Sequence, residues 1–261
     1  MKKGIYFGSL PTKLSLDDRF ALARQAGLEG VEIPSDYETE DQVAEVRRAA
    51  EAKGIELHSV MASTHWQWPL SSTDEEIRVK GVEGIRHALQ VAKWAGANAV
   101  LVVPGVVTED VSYAAAYELA HKSVTELLPT AEELGVVMAL ENVWNKFLLS
   151  PLEFRDFIDS FHHPLVKAYF DVGNILLYGF PHQWIEILGS RIAKIHIKDF
   201  NASTRMFVPL LTGTLDFPRT INALRGVGYN DYLTAELASY PQYPEQMVLD
   251  TGAHLQCILD S

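Results

Sequence analysis

Short apolar runs alternate with amphipathic stretches along the chain. The apolar runs are rich in β-branched residues, are bounded by Gly, Pro or Asn, and recur eight times, which predicts eight β-strands. Several of them are apolar at nearly every position, as is typical of parallel strands whose two faces are both covered. The predicted strands lie near residues 3–8, 30–34, 55–60, 98–104, 136–143, 166–172, 192–199 and 232–238.

Helical patterns fill the intervals between these runs. Ser15, which precedes two aspartates, has the features of a helix N-cap followed by a negatively charged first turn. Residues 77–95 place apolar side chains at three- to five-residue steps and so predict a long helix with one apolar face. Pro151 follows a serine, as expected for the first residue of another helix.

The alternation of strands and helices predicts an α/β protein with the architecture of a single (β/α)8 TIM barrel. A chain of 261 residues has about the usual size of one such barrel. No linker, low-complexity segment or change in composition divides it, so we expect one domain over residues 1–261. A doubly wound open sheet is the alternative architecture.

Four apolar runs in the second half of the chain each lead into a side chain that can bind metal. These side chains are Glu141, Asp171, His196 and Glu236, and about one strand-plus-helix unit separates each from the next. In a barrel, the ends of successive parallel strands meet on one face, where active sites are built. Any one of the four could instead be an ordinary strand-end cap or ion-pair partner, but all four in register favour a site for a divalent cation. An open sheet gives no reason for them to converge.

The segments around these side chains resemble those of a known family. Leu140-Glu141-Asn142, Phe170-Asp171-Val172-Gly173-Asn174, His196-Ile197-Lys198-Asp199 and Ala235-Glu236-Leu237 are similar to motifs of the sugar phosphate isomerase/epimerase proteins in the xylose isomerase-like TIM-barrel superfamily. That superfamily includes ketose 3-epimerases and relatives of hydroxypyruvate isomerase. The resemblance extends from Gly30-Val31-Glu32-Ile33 to Glu236.

The resemblance implies that Glu141, Asp171, His196 and Glu236 hold one divalent ion, with Mn²⁺ expected and Mg²⁺ or Co²⁺ as alternatives. A site rich in carboxylates and without a thiolate suits these ions. It also implies that Glu141 and Glu236 are the catalytic pair, which moves a proton beside the carbonyl of a ketose through an enediolate. Return of the proton to the opposite face gives an epimer, and transfer between C1 and C2 gives an aldose–ketose isomer. A 3-epimerase is favoured.

Five further residues are candidates for substrate binding. His58, at the end of the third strand, is expected to bind substrate or to serve a structural role, and Trp66 is expected to form an aromatic lid or a packed loop. Glu32 is expected to face the barrel mouth, as a substrate contact or as a partner of Lys198 or His58. Lys198 is expected either to bind a substrate oxygen or phosphate or to form a salt bridge with Glu141, Asp171 or Asp199. Asn174 stands where free-ketose 3-epimerases often carry a histidine.

The chain departs from the family pattern at other positions as well. Ala202 stands where the free-ketose enzymes carry an arginine. The phosphate-sugar branch usually has a Gly-Glu-Gly-x-x-Asp-Phe segment, which Gly213, Asp216 and Phe217 match, but Leu211 and Thr212 replace its leading Gly-Glu. Phosphorylation of the substrate therefore stays open.

Composition restricts the other functions. The 22 basic and 34 acidic residues give a net charge of −12, which disfavours nucleic acid as a partner and a nuclease like endonuclease IV as the activity. A lyase such as an inosose dehydratase remains as an alternative, as does a sugar-sensing or structural protein that retains the barrel without catalysis. A small sugar or sugar phosphate is the expected ligand, and a homo-oligomer is compatible with the family.

The remaining expectations concern location and the one cysteine. The start of the chain has too short an apolar stretch for an export signal, and no run approaches the length of a membrane span. We therefore expect a cytoplasmic protein that does not bind membranes. Cys257 is expected to be a packed small hydrophobe.

Overall fold

Eight parallel strands close into a barrel in the computed structural model, which describes residues 1–261. The barrel strands are β1 (Lys2–Tyr6), β2 (Gly30–Pro34), β3 (Glu56–Met61), β4 (Ala99–Val102), β5 (Val137–Glu141), β6 (Val166–Asp171), β7 (Ile192–Ile197) and β10 (Tyr232–Ala235). Each pairs with its neighbour in the chain, and β1 pairs with both β2 and β10. The predicted TIM barrel is confirmed, and the open sheet is excluded because this pairing leaves no free edge.

Helices surround the barrel and connect its strands. They are α1 (Leu16–Gln25), α2 (Glu40–Ala52), α3 (Glu75–Ala95), α4 (Tyr113–Leu134), α5 (Pro151–Asp159), α6 (Val172–Ile175), α7 (Pro181–Leu188), α8 (Phe217–Gly226) and α9 (Pro244–Leu259). The predicted cap Ser15 accepts a hydrogen bond from the Asp18 amide at 3.2 Å. Ser150 likewise caps α5, with Pro151 as its first residue.

The run predicted as one strand over 192–199 divides at the barrel rim. After β7, a two-stranded antiparallel hairpin forms from β8 (Asp199–Asn201) and β9 (Met206–Val208). The cause is the Asp199 carboxylate, which accepts hydrogen bonds from the amides of Phe200, Gly213 and Leu215 and so turns the chain away from the barrel. A side chain at position 213 would overlap Asp199, which explains the glycine of this segment.

The apolar core lies mainly between the barrel and its helices. A cluster of 63 buried residues occupies this layer, whereas a cluster of only five lies separately from it: Leu101, Val103, Ala139, Val143 and Tyr169. Successive side chains of a strand point to opposite faces. The outward residues of β5, β6 and β7 therefore join the large cluster, while the residues that alternate with them, such as Ala139, Tyr169 and His196, face the barrel interior. This alternation leaves the strand ends free for chemistry.

Cys257 does not pack in the core as predicted. It is exposed on α9, whose buried side is formed by Met247, Val248, Thr251, Gly252, Leu255 and Ile258. Position 257 falls on the opposite side of the helix, because residues that share one helix face recur every three or four positions. The wrong prediction came from residue type alone.

No helix of the chain combines the length and hydrophobicity needed to cross a lipid bilayer.

Close packing of α9 against α1 generates a prediction about stability. Gly252 lies so near the backbone carbonyl of Ala26 that an added methyl group would overlap it. Gly252→Ala should therefore lower the free energy of unfolding by about 1–3 kcal/mol, which chemical denaturation can measure. The control is Gly226→Ala in α8, where no atom obstructs the methyl group and stability should stay constant or rise by up to about 1 kcal/mol. Equal effects of the two substitutions would contradict this account of the helix contact.

Candidate active site and metal centre

Four side chains from neighbouring strands converge at the carboxyl end of the barrel. Glu141 ends β5, Asp171 ends β6, His196 lies near the end of β7, and Glu236 follows β10 directly. One potential ligand atom from each lies within 4.8 Å of every other. The first three are buried, whereas the Glu236 side chain is 30 % exposed. The structure thus brings together the four residues that the sequence singled out.

The His196 ring lies at the centre of this cluster. Its Nδ1 atom is 3.0 Å from Glu141 Oε1, 3.7 Å from Glu236 Oε2 and 3.9 Å from Asp171 Oδ2. Its Nε2 atom lies 2.7 Å from Glu32 Oε2 on the other side of the ring. A proton on Nε2, donated to Glu32, would leave the Nδ1 lone pair directed at the three carboxylates.

Lys198 supplies a second positive charge to the cluster. Its Nζ atom is 2.8 Å from Asp171 Oδ2 and also contacts Glu236 Oε2. Lys198 was expected to bind substrate or to form a salt bridge, and the structure contains the salt bridge. Of the three predicted partners, Lys198 contacts Asp171 and not Glu141 or Asp199. Gly173 permits this contact, because a Cβ there would overlap the lysine stem.

Burial and neighbouring charges give the three carboxyl groups different proton affinities. Burial raises the pKa of Glu141 to about 7, although His196 acts against the rise. Burial also raises the pKa of Asp171, against the influence of Lys198. Burial would raise the pKa of Glu236 too, but His196 and Lys198 outweigh it and lower that pKa below its usual value. The cluster therefore contains one carboxyl that takes up a proton near neutral pH and one that stays ionised.

Neighbouring carboxylates raise the pKa values of the two cationic residues, His196 and Lys198, against the effect of burial. Burial lowers the pKa of His196, but the carboxylates of Glu32 and Glu141 outweigh it and raise the pKa well above the ordinary histidine value. Burial likewise opposes the charge on Lys198, while Asp171 and Glu236 raise its pKa above the usual lysine value. In the absence of a metal ion, these shifts favour the charged forms of both groups, which offset part of the acidic charge.

The donor set fits a divalent cation. Asp171 Oδ2 is buried, and its closest partner is Lys198 Nζ at 2.8 Å. This oxygen, the Nδ1 face of His196 and the two glutamates provide three carboxylates and one imidazole, with no thiolate. Such a set suits Mg²⁺ or Mn²⁺ better than a structural zinc site.

His58 does not lie where the sequence suggested. It is buried inside the barrel, stacks on Tyr232 at 4.1 Å, and places its ring nitrogens 3.0 Å from Ser59 Oγ and 3.3 Å from Thr234 Oγ1. A β-bulge, in which the pairing register shifts between Val31 and Glu32, makes Ser59 the partner of Glu32 and leaves His58 outside the pairing. The structural role expected as the alternative is therefore the one observed, without access to substrate.

Glu32 is a partner of His196 rather than of Lys198 or His58. It is fully buried, with Oε2 against His196 and Oε1 accepting a hydrogen bond from Ser59 Oγ at 3.0 Å. The carboxylate lies behind the histidine, so the substrate contact expected for Glu32 stays a prediction. A carboxylate in this position fixes the orientation of a metal-binding imidazole and increases its basicity.

Asn174 and Trp66 differ in their availability to a ligand. The side-chain amide of Asn174 donates to the Asn142 carbonyl at 3.0 Å and so joins two strand-end loops, while its predicted role in substrate binding stays a prediction. Trp66 is 56 % exposed in the loop after β3, with its ring edge-on to His65. The aromatic lid predicted for Trp66 stays a prediction.

The sequence analysis missed Asn142 and Tyr6. Asn142 exchanges two hydrogen bonds with the Asp171 backbone, at 2.8 and 2.9 Å, and so fixes the end of β6. Its place directly after Glu141 was the available signal. Tyr6 ends β1 and lines the cavity beside the cluster, where burial and nearby carboxylates raise its pKa to about 12. Nothing in the sequence marked Tyr6, because it continues an ordinary apolar run.

Known proteins resemble this chain in sequence and structure. The family model for the xylose isomerase-like TIM barrel matches residues 20–256. The L-ribulose-5-phosphate 3-epimerase UlaE of Escherichia coli O1:K1 / APEC is 27% identical over 241 residues, which cover 87% of this chain and 83% of that protein. That relative is an epimerase, and epimerases are isomerases, so the comparison confirms the enzyme class predicted from the sequence.

Solved structures share the fold over nearly the whole chain. The D-psicose 3-epimerase of Clostridium cellulolyticum H10, solved with D-tagatose, has a TM-score of 0.83 at 18% identity and covers 99% of both chains. The 3-keto-D-glucoside 4-epimerase YcjR of E. coli has a TM-score of 0.84 at 19% identity and covers 98% of this chain and 99% of its own. At these identities the likeness extends to the fold alone.

The convergence of ligands generates a prediction about metal binding. The protein should bind one Mn²⁺ per chain, and an ion at 100 times its Kd should stabilise the fold by about 2.7 kcal/mol. Asp171→Asn removes a buried charge from the site and should weaken binding by at least about 100-fold in calorimetric titration. Asp110→Asn, at an exposed loop position, is the matched control and should bind like the wild type. Unchanged affinity in Asp171→Asn would contradict the site.

The buried carboxylate behind His196 generates a second prediction. Glu32→Ala leaves Nε2 without its acceptor and should weaken Mn²⁺ affinity about 10- to 100-fold, with an altered absorption spectrum in the Co²⁺-loaded protein. Glu32→Gln keeps an acceptor oxygen and should restore most of the affinity. Ser59→Ala removes a neighbouring hydrogen bond but not the contact to His196, so it serves as the control. Wild-type affinity in Glu32→Ala would show that the contact does not matter.

Proposed function

The chain belongs to the xylose isomerase-like TIM-barrel family, and we propose that within it the protein is a divalent-metal-dependent ketose epimerase of the 3-epimerase type. Glu141, Asp171, His196 and Glu236 would hold one ion, with Mn²⁺ as the proposed metal. The relatives named above support a sugar substrate, since their names specify a ribulose phosphate, a psicose and a keto-glucoside. Glu141 and Glu236 would transfer the proton.

The observation that carries this proposal is the placement of two glutamates on different sides of one ligand cluster. Their ligand atoms lie within the same 4.8 Å cluster, and Glu141 is buried whereas the Glu236 side chain is 30 % exposed. They approach from β5 and from the end of β10, which are three positions apart in the barrel order. Two carboxyl groups that approach one reacting carbon from different directions are suited to act as base and acid.

The mechanism requires one carboxylate to accept a proton and the other to hold one. Glu236, ionised and partly exposed to the cavity, can remove the hydrogen beside the sugar carbonyl. Glu141, which approaches from β5, can deliver a proton from another direction and so invert the carbon. A bound divalent ion would polarise the carbonyl and stabilise the negative charge that develops. Lys198 holds Asp171 and Glu236 in place and offsets their repulsion.

The other activities considered from the sequence find less support. A nuclease with a three-metal cluster needs further ligands, and the described residues contain one group that could hold an ion. The net charge of −12 also opposes nucleic acid binding. A dehydratase would use the same carboxylates, so its exclusion depends on the product and not on the site.

A solvent-exchange experiment tests the proposal. Mn²⁺-loaded protein in D₂O should incorporate deuterium beside the carbonyl of a ketose and form its epimer, as mass spectrometry and NMR would show. Glu141→Gln and Glu236→Gln keep the shape of the site but remove its proton carriers, so turnover should fall by at least about 100-fold with only partial loss of metal. Glu245→Gln, on the exposed first turn of α9, is the control and should retain full activity.

The product distinguishes the proposal from its alternative. An enone or diketone in place of a stereoisomer would identify a lyase. Absence of exchange with pentuloses, hexuloses and their phosphates in metal-loaded wild-type protein would contradict the proposed epimerase.

A further inference from the structure

A cavity of about 510 Å³ opens beside the carboxylate cluster, and the proposed proton transfer uses only its edge. Lys198 and Glu236 form that edge. The rest lies between the β8–β9 hairpin, the loop after β10 and the inner side of α9. Binding pockets for drug-sized ligands usually have volumes of about 300–1,000 Å³, so the space exceeds what the reacting carbons alone require.

The lining of this cavity is largely apolar. Phe207, Leu210, Leu237, Tyr240 and Met247 surround it. Their side chains come from three separate segments, so the apolar character does not depend on one loop.

Two hydroxyl groups of the lining are engaged within the protein. Ser9 Oγ accepts a hydrogen bond from the Leu237 amide at 3.1 Å. Thr251 Oγ1 donates to the Met247 carbonyl at 2.7 Å. The cavity wall therefore provides mainly apolar contact area, with the hydroxyls of Tyr6, Ser239 and Tyr240 as its other hydroxyl groups.

The cavity offers a phosphate a single ammonium group, and carboxylates compete for it. Lys198 is its only lysine or arginine, and this side chain is already paired with Asp171 and Glu236. Helix α9 contributes Met247, Thr251 and His254, which lie beyond its first turn, so its N-terminus does not face the cavity. A phosphate dianion here would approach Glu236 with only the imidazole of His254 as a possible counter-charge, and an uncompensated buried charge is strongly unfavourable.

We propose that the substrate of this site is an uncharged sugar with an apolar substituent that fills this cavity, such as an aryl or alkyl ether or glycoside, and not a sugar phosphate. This inference rests on the proposed function, because it assigns the keto sugar to the neighbouring carboxylates. The substituent contacts Phe207, Leu237 and Met247, while the sugar carbons lie at Glu236.

Calorimetric titration of the Mn²⁺-loaded protein with three probes tests the proposal. The probes are D-fructose, D-fructose 6-phosphate and 6-O-benzyl-D-fructose, which share one ketose and differ at one terminal group. The benzyl ether should bind at least about tenfold more tightly than the free sugar, because its ring is removed from water. The phosphate should bind no better than the free sugar.

A matched pair of tryptophan variants tests whether the preference for the benzyl ether depends on this cavity. Ala238 is exposed and lines the cavity, so Ala238→Trp should reduce the preference for the ether over the free sugar by about tenfold. Ala253 is equally exposed on α9 but outside the lining, so Ala253→Trp should keep the wild-type preference. Tighter binding of the phosphate, or an equal preference in both variants, would overturn the proposal.

The same samples separate this inference from the proposed function. Deuterium exchange in each probe reports on the epimerase chemistry, whereas the affinity ratios report on the cavity. Preference for the ether without any exchange would retain the cavity assignment and contradict the epimerase. Exchange without preference for the ether would retain the epimerase and overturn the apolar subsite.

Discussion

The repulsion between three carboxylates at one end of the barrel is the constraint on which the site depends. Glu141, Asp171 and Glu236 place ligand atoms within 4.8 Å of one another, and two of them are almost wholly buried. Without compensation such a group would neutralise itself by taking up protons. His196 and Lys198 supply positive charge, and a divalent cation would complete the balance. Burial makes three neighbouring negative charges energetically unfavourable. The same burial favours the binding of a cation over that of other ligands.

The backbone that holds this cluster was largely predictable, because strand alternation decides which residues face inward. Asp171 and His196 follow outward apolar neighbours, and the end of each apolar run marked the rim of the barrel. The side-chain contacts were not predictable in the same way. The β-bulge between Val31 and Glu32 directs Glu32 to His196 and leaves His58 buried. The alternation of inward and outward residues along a strand does not indicate where a bulge shifts the register.

Long-range polar contacts explain the other differences from the sequence analysis. Asn174 was expected at the substrate because of its place after Asp171, and its amide also joins the loop of Asn142. Asp199 was read as the end of a strand, yet its carboxylate binds amides up to 16 residues away and creates the hairpin beside the cavity. Contacts of this kind depend on the tertiary structure. Residue type and spacing therefore locate the catalytic cluster better than they locate the groups that determine the substrate.

The central claim is that four side chains share one cation, and anomalous diffraction from crystals grown with Mn²⁺ tests it most directly. The account predicts one peak per chain within about 2.3 Å of His196 Nδ1 and of carboxylate oxygens from Glu141, Asp171 and Glu236. Lys198 Nζ should then lie outside the coordination sphere. A peak at another place, or no peak while the ammonium of Lys198 keeps its contacts with Asp171 and Glu236, would contradict the claim.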